Sequence, residues 1–162
     1  MGRFTILILT IGIPGAGKST WVREYKKYHP YCYVVSTDEI RKELNGSPTF
    51  FHNQNEYVHN EARNRVKKIL DSKDESSTQV NPLTNTVEII VDSTNVDLKE
   101  WVEYKLLGAS MMMAKYFDTN VDEAMEHQQN RERQVPRDIV ELKWNTLQKN
   151  RSEIAKIFNF IF

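Results

Sequence analysis

Short apolar runs alternate along the chain with stretches of helical spacing. Phe4 to Ile11 is β-branched and apolar throughout, the pattern of a strand buried on both faces. Ser19 to Tyr28 follows as a helix with Trp21, Val22 and Tyr25 on one side. Tyr31 to Ser36 reads as a second strand and Val87 to Val91 as a third. Met111 to Phe117 reads as a fourth strand, its three consecutive methionines filling core. Glu56 to Leu70 is a helix with an apolar stripe of Val58, Ala62, Val66, Ile69 and Leu70. Asp97 to Glu100 has capping-box spacing and opens a helix to about Leu107, with Trp101, Val102 and Leu106 expected against the sheet and Gly108 as its stop.

Near the end, Asn120 to Glu123 carries a cap signal for a helix reaching Gln129. Pro136 suits the first turn of a further helix, with Ile139, Val140, Lys143, Trp144 and Leu147 at helical spacing. Phe158 to Phe162 is a candidate fifth, edge strand. Strands alternating with helices predict a three-layer α/β domain: a mostly parallel sheet of four or five strands with helices on both faces. Two segments resist this scheme. Thr49 to Asn55 has no clear period, and its adjacent phenylalanines favour a loop packed on the core over one covering a site. Asp71 to Thr86 is polar and turn-rich, the most loop-like part of the chain.

At 162 residues the chain is expected to form one domain. Lys+Arg and Asp+Glu balance at 22 each, so no global positive field draws in nucleic acid, though a local basic groove stays open. The single Cys32 lies in an apolar segment and reads as a buried thiol, which suits a reducing cytoplasm. The first apolar run is too short to span a membrane, so neither a signal peptide nor a membrane partner is expected. His52 and His59 read as surface or helix positions without metal-ligand spacing.

Between the first strand and the first helix lies Gly12-Ile13-Pro14-Gly15-Ala16-Gly17-Lys18-Ser19, followed by Thr20. It satisfies G-x-x-x-x-G-K-[ST] at every fixed position, and the strand–turn–helix context makes the match physical. Glycines let the backbone wind round a polyphosphate with amides pointing inward, and the helix start adds its own unpaired N–H groups. Lys18 supplies positive charge for the β- and γ-phosphates, and the Ser19 hydroxyl is placed to ligate Mg²⁺. ATP and Mg²⁺ are the expected cofactors. Asp38 stands just past the second strand, where open α/β sheets put ligand groups, with Arg41 one helical turn on. Taken alone, the two also suit a helix cap with a solvated partner. Beside a phosphate loop, a carboxylate at a strand tip is where a phosphoryl acceptor needs a base. Asp92 ends the third strand and reads as the carboxylate that orients Mg²⁺ or its water shell. Arg131 and Arg133 sit on the connector before Pro136, a lid at about 127–136 able to close on the polyphosphate; surface pairing with Glu132 or Glu126 is the alternative.

Together these motifs resemble the P-loop kinases of the polynucleotide 5′-kinase type, as in the kinase domain of phage polynucleotide kinase-phosphatases and related phage kinases. The resemblance rests on Ile11 to Trp21, Arg23-Glu24, Asp38 with Arg41, Asp92 to Asn95, and Arg131 to Pro136. It implies that Asp38 is the general base on the 5′-hydroxyl of DNA or RNA. It further implies that Arg41 holds the acceptor's phosphate, and that Arg131 and Arg133 contact donor phosphates. Family members often carry an arginine-asparagine pair before the lid arginine; His127-Gln128 stands there in this chain. Related enzymes phosphorylate modified bases in phage DNA, nucleosides and small metabolites, so the acceptor is open. A nucleotide-gated binding module or NTPase without an acceptor is the reading from a different class.

Overall fold

The computed structural model describes residues 2–73 and 79–162. Residues 74–78, within the polar stretch, and Met1 lie outside the described residues. The elements run β1 (Phe4–Ile11), α1 (Lys18–Tyr28), β2 (Cys32–Ser36), α2 (Thr37–Asn45), α3 (Asn55–Asp71), β3 (Thr86–Asp92), α4 (Leu98–Lys105), β4 (Met111–Tyr116), α5 (Val121–Gln128), α6 (Arg137–Asn150), α7 (Ile154–Ile157) and β5 (Phe160–Ile161). One-turn 3₁₀ segments cover His52–Gln54 and Arg151–Glu153.

The sheet order is β2-β3-β1-β4-β5. Every pairing within it is parallel, so the expected mostly parallel sheet is parallel throughout, its short edge strand β5 included. Parallel strands must be joined by crossovers, and those crossovers are the helices that cover both faces. Alternation along β1 divides the core. Leu7, Leu9 and Ile11 pack with Val58, Ala62 and Val66 of α3, Trp101 and Tyr104 of α4, Leu147 of α6 and Ile154 of α7. Ile8 faces the other way, with Ile90, Cys32 and Val22 of α1. Each fully buried aliphatic chain contributes about 1.5–3 kcal/mol by leaving water. A third apolar cluster, of Ile13, Ala16, Ala124 and Val140, sits under the loop at the carboxyl end of β1.

Several expectations are corrected. On α4, Trp101 and Tyr104 turn inward, whereas Val102 is 43% exposed and Leu106 79%. The three-residue step keeps positions 101 and 104 on one face, and the helix ends at Lys105 before Leu106 can join it. Asp97 takes the N-cap position of α4 but makes no side-chain cap bond, and the Glu100 carboxylate pairs with His59, so the expected capping box is not formed. His59 is accordingly an enclosed helix residue, with 15% of its side chain exposed. Pro136 stands at the N-cap of α6, one position ahead of the first turn. Of the three methionines only Met112 is fully in the core. Phe50 and Phe51 are not packed away: they are 47% and 46% exposed. Among the described residues no helix is long and apolar enough to cross a membrane.

Candidate active site

All five strands point their carboxyl ends the same way, and the sequence-predicted residues gather at that end. The first of them is the phosphate loop. Gly12 donates its N–H to the Thr94 carbonyl (3.0 Å), tying the loop to the end of β3. Gly15 and Gly17 hold φ of 85° and 91°, the left-handed region that costs other residues about 1–2 kcal/mol. A Cβ on Gly15 would lie 2.4 Å from the Ala124 carbonyl oxygen, so α5 presses directly on the loop. A Cβ on Gly12 would meet Phe117 Cβ at 3.0 Å. Pro14 is partly exposed on the outside of the turn and Ala16 is buried against α5. Gly17 is the N-cap of α1, so the amides of Lys18, Ser19 and Thr20 open toward the loop's concavity. Thr20 is exposed, its hydroxyl accepting a bond from Arg23 Nη2 (3.3 Å).

Lys18 is buried, and its ammonium donates to the Ile13 carbonyl (2.7 Å) within the same loop. Burial lowers its pKa to about 8; Asp92 and Asp38 work against that shift, while Arg131 adds to it. Asp92, at the end of β3, accepts a bond from Ser19 Oγ (3.1 Å). Burial raises the Asp92 carboxyl above its ordinary range, against the pull of that hydroxyl and of Lys18. Behind Asp92 lies a polar hub absent from the sequence reading. Buried Asn95 donates through Nδ2 to the carbonyls of Thr10 (2.8 Å) and Val91 (3.1 Å), and its own carbonyl accepts from Trp101 Nε1 (2.5 Å). Its φ of 48° is tolerated by asparagine better than by most residues. The hub fixes the β3 end against the β1 end and thereby sets Asp92 opposite Ser19.

Beyond β2, Ser36 caps α2 by accepting the Glu39 N–H (3.3 Å), so Asp38 is not the cap. Asp38 instead pairs with Arg41 through Oδ1 (3.0 Å). Arg41 is nearly enclosed, with 11% of its side chain exposed. Its guanidinium reaches Asn55 Oδ1 (3.5 Å) and lies 5.6 Å from the Phe50 ring centre.

The segment between α5 and α6 is held at its base by Gln128, a residue outside the sequence-predicted set. Its buried amide accepts the Val135 N–H (2.8 Å) and donates to the Val135 carbonyl (3.5 Å). His127 Nδ1 donates to the Gly15 carbonyl (2.8 Å), joining α5 to the phosphate loop. From this segment Arg133 reaches Asp38 Oδ1 (3.6 Å), and the charge of Arg131 is felt by Lys18. Arg133 thus pairs with the carboxylate beyond β2, not with the glutamates nearby in sequence. Asp38, Arg41, Arg133, Lys18, Ser19 and Asp92 therefore surround one end of the sheet. The signal for Asn95, His127 and Gln128 was weak because each acts by a bond to backbone far away in sequence.

A parallel sheet, a glycine-wound loop at its carboxyl end and a lysine on the following helix define a P-loop nucleotide-binding protein. The chain belongs to the AAA domain family AAA_33, whose model matches residues 7–154. Its fold is similar to that of a chain in the Pnkp1/Rnl/Hen1 RNA repair complex, at 20% identity and a TM-score of 0.74 over 94% of this chain. This chain spans 47% of that one, just under half its length. It is also similar to a gluconokinase from Sinorhizobium meliloti 1021 (14% identity, TM-score 0.60, covering 99% of this chain and 82% of that one). A deoxyadenosine kinase from M. mycoides matches at 15% identity and a TM-score of 0.57, over 96% of this chain and 89% of that one. At these identities the likeness is one of fold, a P-loop architecture that small-molecule kinases share.

Proposed function

We propose that this protein is an ATP-dependent kinase that transfers the γ-phosphoryl group to a hydroxyl, the 5′-hydroxyl end of DNA or RNA being the favoured acceptor. The observation that carries the proposal is the convergence on Asp38. A carboxylate beyond β2 is held by Arg41 from its own helix and by Arg133 from the α5–α6 segment, on the same side of the sheet as Lys18. A nucleotide switch has no use for a second-substrate base and its guanidinium clamp; a kinase needs both.

In this reading the acceptor oxygen bonds to the γ-phosphorus as the bond to the β–γ bridging oxygen breaks, and ADP leaves. Both guanidiniums engage Oδ1 of Asp38, so Oδ2 takes the hydroxyl proton. Arg41 moves from Asp38 to the acceptor's phosphate, a planar bidentate match. Lys18 exchanges the Ile13 carbonyl for the donor phosphates. Arg131 and Arg133, on a lid at about 127–136, neutralise charge as it builds on the transferring group. The hydroxyl of Ser19 and the desolvated carboxylate of Asp92 are hard oxygen donors that suit Mg²⁺, the remaining ligands coming from phosphates and water. A bound Mg²⁺ would supply charge neutralisation on the β- and γ-phosphates.

The test is radiolabel transfer from γ-labelled ATP to a panel of 5′-hydroxyl oligonucleotides, hydroxymethylated DNA, nucleosides and sugar acids. Label on the oligonucleotides, with a rate that falls steeply as salt rises, supports the proposal. Label on a nucleoside or small metabolite alone would move the acceptor assignment to that class. ATP turnover that no hydroxyl compound accelerates would replace the kinase reading with that of an NTPase.

A further inference from the structure

The segment from Gly46 to Gln54 carries chemistry that the proposed reaction has not yet used. Asn45 and Gln54 exchange two amide hydrogen bonds (2.8 and 3.1 Å), closing this segment into a loop anchored at both ends. The loop holds Phe50 beside the acceptor clamp: the Arg41 guanidinium lies 5.6 Å from its ring centre, and the His52 ring meets it at 64° with centroids 6.4 Å apart. Yet Phe50 stays nearly half exposed, and Phe51 beside it equally so. A ring that served only to pack would be drawn out of water. This one is steered by a cation on one side and an edge contact on another, with open surface left over.

We infer that Phe50 is a stacking platform for the base of the acceptor's terminal nucleotide, so that the acceptor site reads an aromatic base and not only a hydroxyl and a phosphate. This rests on the kinase reading and sharpens it. Arg41 connects the two halves of the site, with Asp38 at 3.0 Å on one side and the Phe50 ring on the other. A nucleotide with its phosphate on Arg41 and its hydroxyl at Asp38 carries its base within a few ångströms of that clamp. Aromatic rings stack on any base, which yields affinity without sequence preference. Polyol acceptors of the gluconate kind offer no such face and would leave Phe50 without a role.

The test compares two 5′-hydroxyl oligonucleotides, one with a base on its terminal nucleotide and one abasic there, on the full chain. Phe50→Ala and Phe50→Leu should each raise KM for the base-bearing acceptor about tenfold, as loss of one base–aromatic stack does. Phe50→Trp should restore it. The abasic acceptor should start with a high KM that none of the three substitutions changes, and KM for ATP should stay constant. Leucine keeps bulk beneath Arg41 and removes only the π face, so it separates stacking from support. If Phe50→Ala leaves the base-bearing KM unchanged, or raises both acceptors' KM equally, Phe50 is not a base platform although the kinase reading stands. If the parent labels neither oligonucleotide, the polynucleotide reading falls first and takes this inference with it.

Discussion

Nucleotide binding should be coupled to a proton at Lys18, whose ammonium is buried within the phosphate loop. Without nucleotide, burial lowers the lysine's pKa to about 8, against the attraction of Asp92 and Asp38. At pH 8 it is therefore about half protonated and at pH 7 about nine-tenths protonated. A triphosphate seated in the loop places several negative charges beside the ammonium and lifts its pKa well above 8. Binding at pH 8 should then take up about 0.5 proton, and binding at pH 7 about 0.1. The sign follows from the raised pKa of the bound state. Affinity is full below pH 8 and falls as pH rises through 8, toward tenfold per pH unit. A phosphate's own second ionisation lies near pH 6 and contributes little at pH 8. Calorimetric titration with a non-hydrolysable ATP analogue, in two buffers of different ionisation enthalpy, reads the uptake directly. Lys18→Met should bind more weakly and show no uptake at pH 8. Equal uptake at pH 7 and pH 8, or uptake that survives Lys18→Met, would refute the assignment of the buried ammonium to the phosphate site.

Three further substitutions probe the scaffold. Gly15→Ala forces a left-handed alanine whose Cβ lies 2.4 Å from the Ala124 carbonyl oxygen; it should weaken ATP binding at least tenfold, read by the same titration, and lower the thermal midpoint. The His59–Glu100 contact between α3 and α4 should leave a pH signature in stability. Burial pushes His59 down to about 4 and Glu100 up to about 7. The unfolded histidine binds its proton first as pH falls, so His59 makes stability rise with pH between about 4 and 6.5. The unfolded glutamate loses its proton first as pH rises, so Glu100 makes stability fall over nearly the same window. The parent should be nearly flat there in urea unfolding. Glu100→Gln should uncover a rising slope and His59→Leu a falling one, each up to about 1.4 kcal/mol per pH unit. Reversed signs, a falling slope in Glu100→Gln and a rising one in His59→Leu, would show that both groups are charged within the fold.

The order of elements was legible because strands buried on both faces leave continuous apolar runs and their crossover helices leave periodic ones. Phe4–Ile11 was found to the residue. The phosphate loop was legible because its glycines and lysine must fall at fixed intervals. What escaped reading depends on distance in space. Nothing local to Leu98–Lys105 says that Trp101 pairs with Tyr104 in the core, since Val102 and Leu106 are as apolar and only the packing partners choose between faces. Phe50 and Phe51 look like core from composition alone. They lie in the loop that the Asn45–Gln54 clasp closes, and neither that clasp nor the Arg41–Phe50 contact has a sequence signature. Asn95 and Gln128 are ordinary polar letters until the backbone groups they satisfy come within reach.

The central claim is that Asp38 takes a proton from a bound hydroxyl, and single-turnover phosphoryl transfer with Asp38→Asn tests it most directly. Asparagine keeps the size of the side chain and a contact for Arg41 but cannot act as the base, so transfer to a 5′-hydroxyl oligonucleotide should fall at least about a hundredfold, the scale of general-base catalysis, while ATP binding measured on the same sample stays within a few-fold of the parent. Transfer at the parent's rate by Asp38→Asn would contradict the account, leaving a nucleotide-binding P-loop protein whose second substrate lies elsewhere.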